Sequence, residues 1–89
     1  EKNLAESIQN NLKRGVAEGY YRSEIEVDIL TQMRLDQVNL IFNHHDNYTN
    51  KKYNIAQVMI GITTHFLYGI SNLNGLELIK QYQTKSIYA

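Results

Sequence analysis

The sequence predicts an all-α protein, and three observations support that prediction. Apolar residues recur at helical spacing in three separate segments, a pattern typical of helices with a buried face. The 89 residues include no proline, so no residue forces a break inside a helix. Glycine, asparagine and aspartate cluster between the apolar segments and mark the connections. We therefore expect an antiparallel bundle of three longer helices followed by a short C-terminal helix.

The first apolar segment predicts an amphipathic helix that ends in a tight corner. Its apolar residues recur every four positions and form a single stripe: Leu4, Ile8, Leu12 and Val16. Gly19 suits the left-handed residue just past a helix C-terminus, and one of the two tyrosines after it can fold back on the last turn. Arg22 is close enough in sequence to meet the exposed carbonyls of that turn or Glu18.

The second helix is expected from about Val27 to about His45. Ser23 with Glu26 fits a capping box that would begin the helix at Glu24, whereas a start at Val27 makes Glu26 a weaker cap. We favour the later start, which keeps acidic side chains near the positive end of the helix dipole. Apolar residues occur on more than one side of this helix, so it must be covered from two directions.

The rest of the chain predicts a third long helix and a short fourth one. Residues 44–52 are polar and typical of an exposed connection, and Asn54 is a suitable N-cap for a helix from Ile55 to about Ser71. The apolar stripe of this helix consists of Ile55, Val58, Met59, Ile62, Phe66 and Ile70. Asn74-Gly75 is expected to break the chain before a short last helix, with a frayed tail after Thr84.

Composition excludes several classes of function. Nine basic and nine acidic residues give a formal net charge of zero, whereas a nucleic-acid-binding surface normally has a clustered basic excess. The low charge also favours self-association. The absence of cysteine fits a cytoplasmic protein. No apolar run reaches the roughly 18–20 residues that cross a membrane, so no membrane contact is expected. Because the helical pattern is present from Glu1 onward, we expect a piece of a longer chain.

The polar residues do not predict an enzyme or a metal site. His44, His45 and Asp46 are adjacent at a helix end, where side chains diverge, so we expect no metal there. No serine has a recognisable partner and no phosphate-binding glycine loop is present, so we expect no catalytic residues and no cofactor. His65 belongs to a polar cluster that either lines a ligand cavity or is satisfied within the bundle, and we favour the second interpretation. The other members of that cluster are Thr63, Thr64 and Tyr68.

Residues 15–28 resemble the corner found in TetR-type (tetracycline-repressor-like) transcriptional regulators. In that family a glycine-bearing helix end is followed by an aromatic or aliphatic residue, an arginine, acidic residues and a new helix. The positions that match as helix-corner residues are Gly15, Gly19, Tyr21 and Arg22. Residues 66–70 and 74–79 are similar to the C-terminal end of some of these regulators. The family often has Asp where this chain has Glu24 and Glu26.

The resemblance implies that residues 1–89 are the C-terminal part of the regulatory domain of a bacterial regulator. DNA binding would then lie in a separate N-terminal helix-turn-helix domain, and this chain would not contact nucleic acid. The family's last two long helices, which correspond to the second and third helices here, pair with their copies in a homodimeric four-helix bundle. A small-molecule effector shifts the equilibrium between a DNA-binding and a released arrangement.

Two sets of site residues follow from this resemblance together with the periodicity. The expected dimer contacts are Val38, Ile41, Phe42, Met59, Ile62, Thr63, Phe66 and Ile70. The first helix would partly line the effector cavity, and the pocket candidates are Leu4, Ile8, Leu12 and His65. The alternative interpretations are a stand-alone helical module with an apolar groove for a partner helix, and a small helical enzyme or metal-binding domain.

Overall fold

The described part of the chain is mostly helical. The structure, a computed structural model, describes residues 3–88, and side chains for residues 3–84. Those residues form five helices and no strand. In chain order the helices are α1 Leu4–Ala17, α2 Val27–Asn43, α3 Asp46–Thr49, α4 Ile55–Ile70 and α5 Leu73–Tyr88. The predicted all-α fold class is confirmed.

The boundaries of the first two long helices follow the local signals. The side-chain oxygen of Asn3 caps α1 by accepting from the Glu6 amide at 2.8 Å. After α1, Gly19 adopts a φ of +81°, so the predicted left-handed glycine is confirmed. The later start of α2 at Val27 is also confirmed, and the Glu26 side chain makes no capping bond there. Asp28 in the first turn favours this start through the helix dipole.

The connection between α2 and α4 and the C-terminal helix both differ from the prediction. The connection contains one short helix, α3. Tyr48 is the one half-buried residue of residues 44–54, all of which the structure describes. The prediction of a short last helix is wrong, because α5 has 16 residues, as many as α4. Asn74 and Gly75 lie in the first turn of α5. They do not break the chain because the side-chain oxygen of Asn72 caps this turn, accepting from the Gly75 amide at 2.9 Å.

In the described part of the chain, α1, α2 and α4 each contribute to the buried core. Among the described residues, the buried hydrophobic side chains are Leu12 of α1, Ile41 of α2 and Ile70 of α4. The buried polar residues Thr31 and Ser71 each donate their hydroxyl to the backbone carbonyl four residues earlier, at 2.8 and 2.6 Å. Their polar groups are therefore satisfied inside their own helices. Within the described part of the chain, no helix is both long and apolar enough to span a bilayer.

Candidate functional site

The corner after α1 has the hydrogen bonds of a Schellman motif. The Gly19 amide donates to the Val16 carbonyl at 3.1 Å, and the Tyr20 amide donates to the Gly15 carbonyl at 2.9 Å. These bonds satisfy carbonyls that the end of the helix leaves free. They require the positive φ of Gly19, which glycine adopts without steric cost.

The same corner is tied to the junction between α4 and α5. The Arg22 amide donates to the Ile70 carbonyl at 2.8 Å, and the Asn72 amide donates to the Tyr20 carbonyl at 3.0 Å. The side-chain nitrogen of Asn72 also donates to the Gly19 carbonyl at 2.8 Å. The corner therefore holds two distant parts of the chain together, a role that sequence spacing alone does not show.

Tyr21 folds back on the last turn of α1, as expected for one of the two tyrosines. Its ring covers Gly15, where the Cβ of any other residue would overlap the ring. Its hydroxyl donates to the side-chain oxygen of Asn11 at 3.0 Å. Burial raises the pKa of Tyr21 above its ordinary value, and the nearby Arg14 guanidinium partly lowers it. The predicted structural role of this tyrosine is therefore matched by its contacts.

Arg22 contacts α4 and not the end of α1. Its Nη2 donates to the Gly69 carbonyl at 2.6 Å, and its Nη1 lies 3.5 Å from the Glu24 carboxylate. A cation on the last carbonyls of a helix is favourable, so Arg22 caps the C-terminus of α4. The prediction that it meets the carbonyls of α1 or Glu18 is wrong, and Glu18 instead pairs with Arg14 at 3.9 Å.

A cleft of about 240 Å³ opens between α1, α2 and α4. The pocket candidates Ile8 and Leu12 line it. Leu4 lies outside this lining and is 50% exposed at the start of α1. His65 is exposed and also outside, because it lies about 200° around α4 from Thr63, which faces the cleft. The full lining is Ser7, Ile8, Asn11 and Leu12 of α1, Arg34 of α2, and Thr63, Phe66 and Leu67 of α4.

Arg34 is the charged residue of this cleft, and sequence reasoning did not select it. Its Nη2 donates to the Thr63 hydroxyl at 2.7 Å, and its guanidinium carbon lies 5.5 Å from the centre of the Phe66 ring. Its Nη1 is buried without a hydrogen-bond partner. The sequence did contain a signal for it: Arg34 lies four residues after Leu30 and seven before Ile41, so it shares a helical face with these apolar residues.

The predicted dimer residues fall into two groups. Ile41 and Ile70 are 0% and 3% exposed within the single chain, so they belong to its core and cannot contact a partner. The prediction that these two residues contact a partner is therefore wrong, because helical periodicity marks apolar positions without showing which of them the chain itself buries. Phe42 is 61% exposed. The remaining members are half-buried: Val38, Met59, Ile62, Thr63 and Phe66.

Besides Phe42 on the predicted dimer face, α2 has a row of exposed apolar residues on another face. Its members are separated by four and seven residues and therefore share one face of the helix: Ile29, Met33 and Leu40. Leu40 and Phe42 lie about 200° apart around α2, so this row and the predicted dimer face point in different directions. Both faces of α2 therefore expose apolar surface, which agrees with the expectation that this helix needs cover from two directions.

The chain has no match among known protein families, curated proteins or solved structures. In the part of the chain that the structure describes, no three histidine or acidic side chains come together to hold a metal. His44, His45 and Asp46 are exposed around the end of α2. The features that bear on function are therefore the cleft and the apolar faces of α2 and α4.

Proposed function

We propose that residues 1–89 form the dimerisation and effector-responsive part of a TetR-like transcriptional regulator. The observation that carries the proposal is the exposure of the large apolar side chain of Phe42 on α2, together with the half-buried Met59 and Ile62 on α4. The described residues bury only three hydrophobic side chains. Covering exposed apolar area stabilises a protein by about 25 cal/mol per Å². A partner that covers these faces therefore adds stability that the single chain lacks.

A second copy of the chain is the partner that we propose. The formal net charge of zero means that two copies do not repel one another strongly. A two-fold axis presents the same faces of α2 and α4 on both subunits, and this generates a self-complementary interface. The resemblance of residues 15–28 to the TetR corner supports the same pairing. In this proposal DNA contact belongs to a separate domain, and the regulator works in the cytoplasm.

The proposed interface uses one row of residues from each long helix. Val38 and Phe42 are four residues apart on α2, and Met59 and Ile62 are three apart on α4, so each pair shares a face. All four are half-buried or exposed in the single chain and remain available to a partner. Thr63 and Phe66 contact Arg34 in the cleft, and we assign them to the effector side of the same helix.

Light scattering of the purified chain across a concentration series tests the dimer. We expect a dimer at high concentration and Phe42→Asp to shift it to monomer, since a charge would be buried without a partner. Because Phe42 is 61% exposed, the variant should keep its helical circular dichroism. Leu40→Asp is the matched control, because Leu40 is 52% exposed in the same helical turn and faces another direction.

Two results would contradict this proposal. A monomer at every concentration would favour the stand-alone module with an apolar groove for a partner helix. If Leu40→Asp dissociates the dimer and Phe42→Asp does not, the subunits contact one another through the row formed by Ile29, Met33 and Leu40.

A further inference from the structure

We propose that the cleft between α1, α2 and α4 binds a small organic carboxylate. The carboxylate would lie on Arg34, and the apolar body of the ligand would lie against Ile8 and Leu67. This inference deepens the effector-responsive part of the proposed function and rests on it, because it gives the effector a chemical class.

The charge of Arg34 has no anionic partner among the described residues. The ion pairs found there join Arg14 to Glu18 and Arg22 to Glu24, and both are exposed. The guanidinium of Arg34 instead meets a neutral hydroxyl and an aromatic ring. A half-buried cation without an anion is costly, because it has lost water without gaining an opposite charge. An anion that enters the cleft supplies that missing charge.

The hydrogen bonds of Arg34 favour a ligand that brings oxygen atoms. Nη2 is already committed to Thr63, whereas Nη1 has neither a protein partner nor contact with solvent. A buried donor without an acceptor carries a desolvation cost. In the proposed complex the side chain of Arg34 rotates, so that the edge of the guanidinium that carries Nη1 faces the cleft. The two oxygens of a carboxylate match two N–H groups of that edge.

The other residues that line the cleft determine which class of anion it can bind. Among the described residues of the lining, Arg34 is the single charged one, so it can neutralise a ligand with one negative charge but not the two charges of a phosphate. Ser7 and Asn11 add neutral polar groups, and the rest of the lining is largely apolar. The volume of about 240 Å³ is smaller than the roughly 300–1,000 Å³ of sites for drug-sized ligands. A small monocarboxylate with an apolar body satisfies these conditions.

A neighbouring cleft gives the apolar body room to extend. Asn11 and Leu67 also line a larger cleft of about 470 Å³ between α1, α4 and α5. Leu78 and Ile79 of α5 form part of its apolar wall. An acyl chain that passes Leu67 can therefore bury more apolar area than a compact acid buries. We expect octanoate to bind more tightly than acetate for this reason.

Isothermal titration of the full chain with sodium octanoate tests the inference. We expect octanoate to bind, and acetate, octanol and inorganic phosphate each to bind at least about tenfold more weakly. Arg34→Met should weaken octanoate binding by about ten- to hundredfold, because it removes charge-assisted hydrogen bonds. Lys13→Met is the control, since Lys13 is exposed on α1 outside the cleft lining.

Thermal unfolding separates a binding role of Arg34 from a structural one. Because its charge is unpaired, Arg34→Met should melt at or above the temperature of the unmodified chain. If Arg34→Met does not fold, Arg34→Lys keeps the charge but loses the planar fork, and it should bind octanoate several-fold more weakly.

Several results would overturn the carboxylate site, and they differ from failure of the dimer. Equal binding of octanol and octanoate, tighter binding of phosphate, or unchanged octanoate binding by a folded Arg34 variant would each overturn it. A folded dimer that binds no octanoate would also overturn it and leave the dimer intact. A monomer that binds octanoate through Arg34 would support the site and contradict the dimer.

Discussion

At residue 15, the absence of a side chain lets the Tyr21 ring lie directly on the last turn of α1. The Gly15 carbonyl also accepts the amides of Tyr20 and Tyr21 at 2.9 and 3.1 Å. Gly19 supplies the positive φ that turns the backbone into this arrangement. The two glycines therefore act differently, one by leaving space and the other by its backbone conformation.

Gly15→Ala should lower the free energy of unfolding. The new methyl group overlaps the Tyr21 ring, and the cost of overpacking exceeds the gain in helix propensity, leaving a net loss of about 1–2 kcal/mol. Urea unfolding at one protein concentration measures the change. Gly61→Ala is the control, because its Cβ meets open space in α4, and it should gain about 0.5–1 kcal/mol. Equal stability of the two variants would show that the ring moves aside at little cost.

The Tyr21 hydroxyl should make stability fall at alkaline pH. Burial raises the pKa of Tyr21 in the folded chain, so the unfolded chain loses this proton first. The stabilisation is therefore fully present below about pH 10, the ordinary pKa of tyrosine, and is lost as the pH rises through the folded value.

Urea unfolding between neutral and alkaline pH measures this dependence. Tyr21→Phe removes the hydrogen bond to Asn11 and should lower the free energy of unfolding by about 1 kcal/mol at neutral pH. The variant should also lose less stability at alkaline pH than the unmodified chain. Tyr53→Phe is the control, because Tyr53 is exposed. An alkaline loss as steep in Tyr21→Phe as in the unmodified chain would contradict the assignment to Tyr21.

Among the helices, α5 depends most clearly on one capping residue. Asn72 caps it through the Gly75 amide and also joins it to the corner after α1 through the Gly19 carbonyl. Gly75 allows close approach here, since a Cβ at this position would overlap the Tyr20 carbonyl. The start of α5 and the end of α1 are therefore held by the same side chain.

Asn72→Ala should destabilise the protein by about 1–2 kcal/mol, because the variant loses the helix cap and the bond to Gly19. Thermal unfolding followed by circular dichroism at one protein concentration measures the loss. Asn74→Ala is the matched control, since the Asn74 side chain lies at the longer distance of 3.5 Å from the same carbonyl. An equal effect of the two substitutions would show that the cap contributes little.

At the scale of the whole molecule, the main feature is how little apolar surface the single chain buries. The chain extends over 40 × 34 × 25 Å, and three hydrophobic side chains are buried in its described part. A small domain buries a limited fraction of its surface and is correspondingly marginal in stability. The proposed dimer would couple folding to association, so the free energy of unfolding would increase with protein concentration.

The sequence by itself determined where α1, α2 and α4 lie and how several of their ends form. Val27, Ile55 and the left-handed Gly19 were all predicted, because periodicity, capping and positive φ are set by residues close together in the chain. Two of the four pocket candidates that the family resemblance implied, Ile8 and Leu12, line the cleft.

Only the tertiary structure decided which distant groups meet. It placed Ile41 and Ile70 in the core, left His65 outside the cleft, and brought Arg34 to Thr63 across two helices. It also joined Asn72, the residue before α5, to the corner after α1. These outcomes depend on contacts between residues far apart in the chain, whose relative positions are fixed by packing and carry no local sequence pattern.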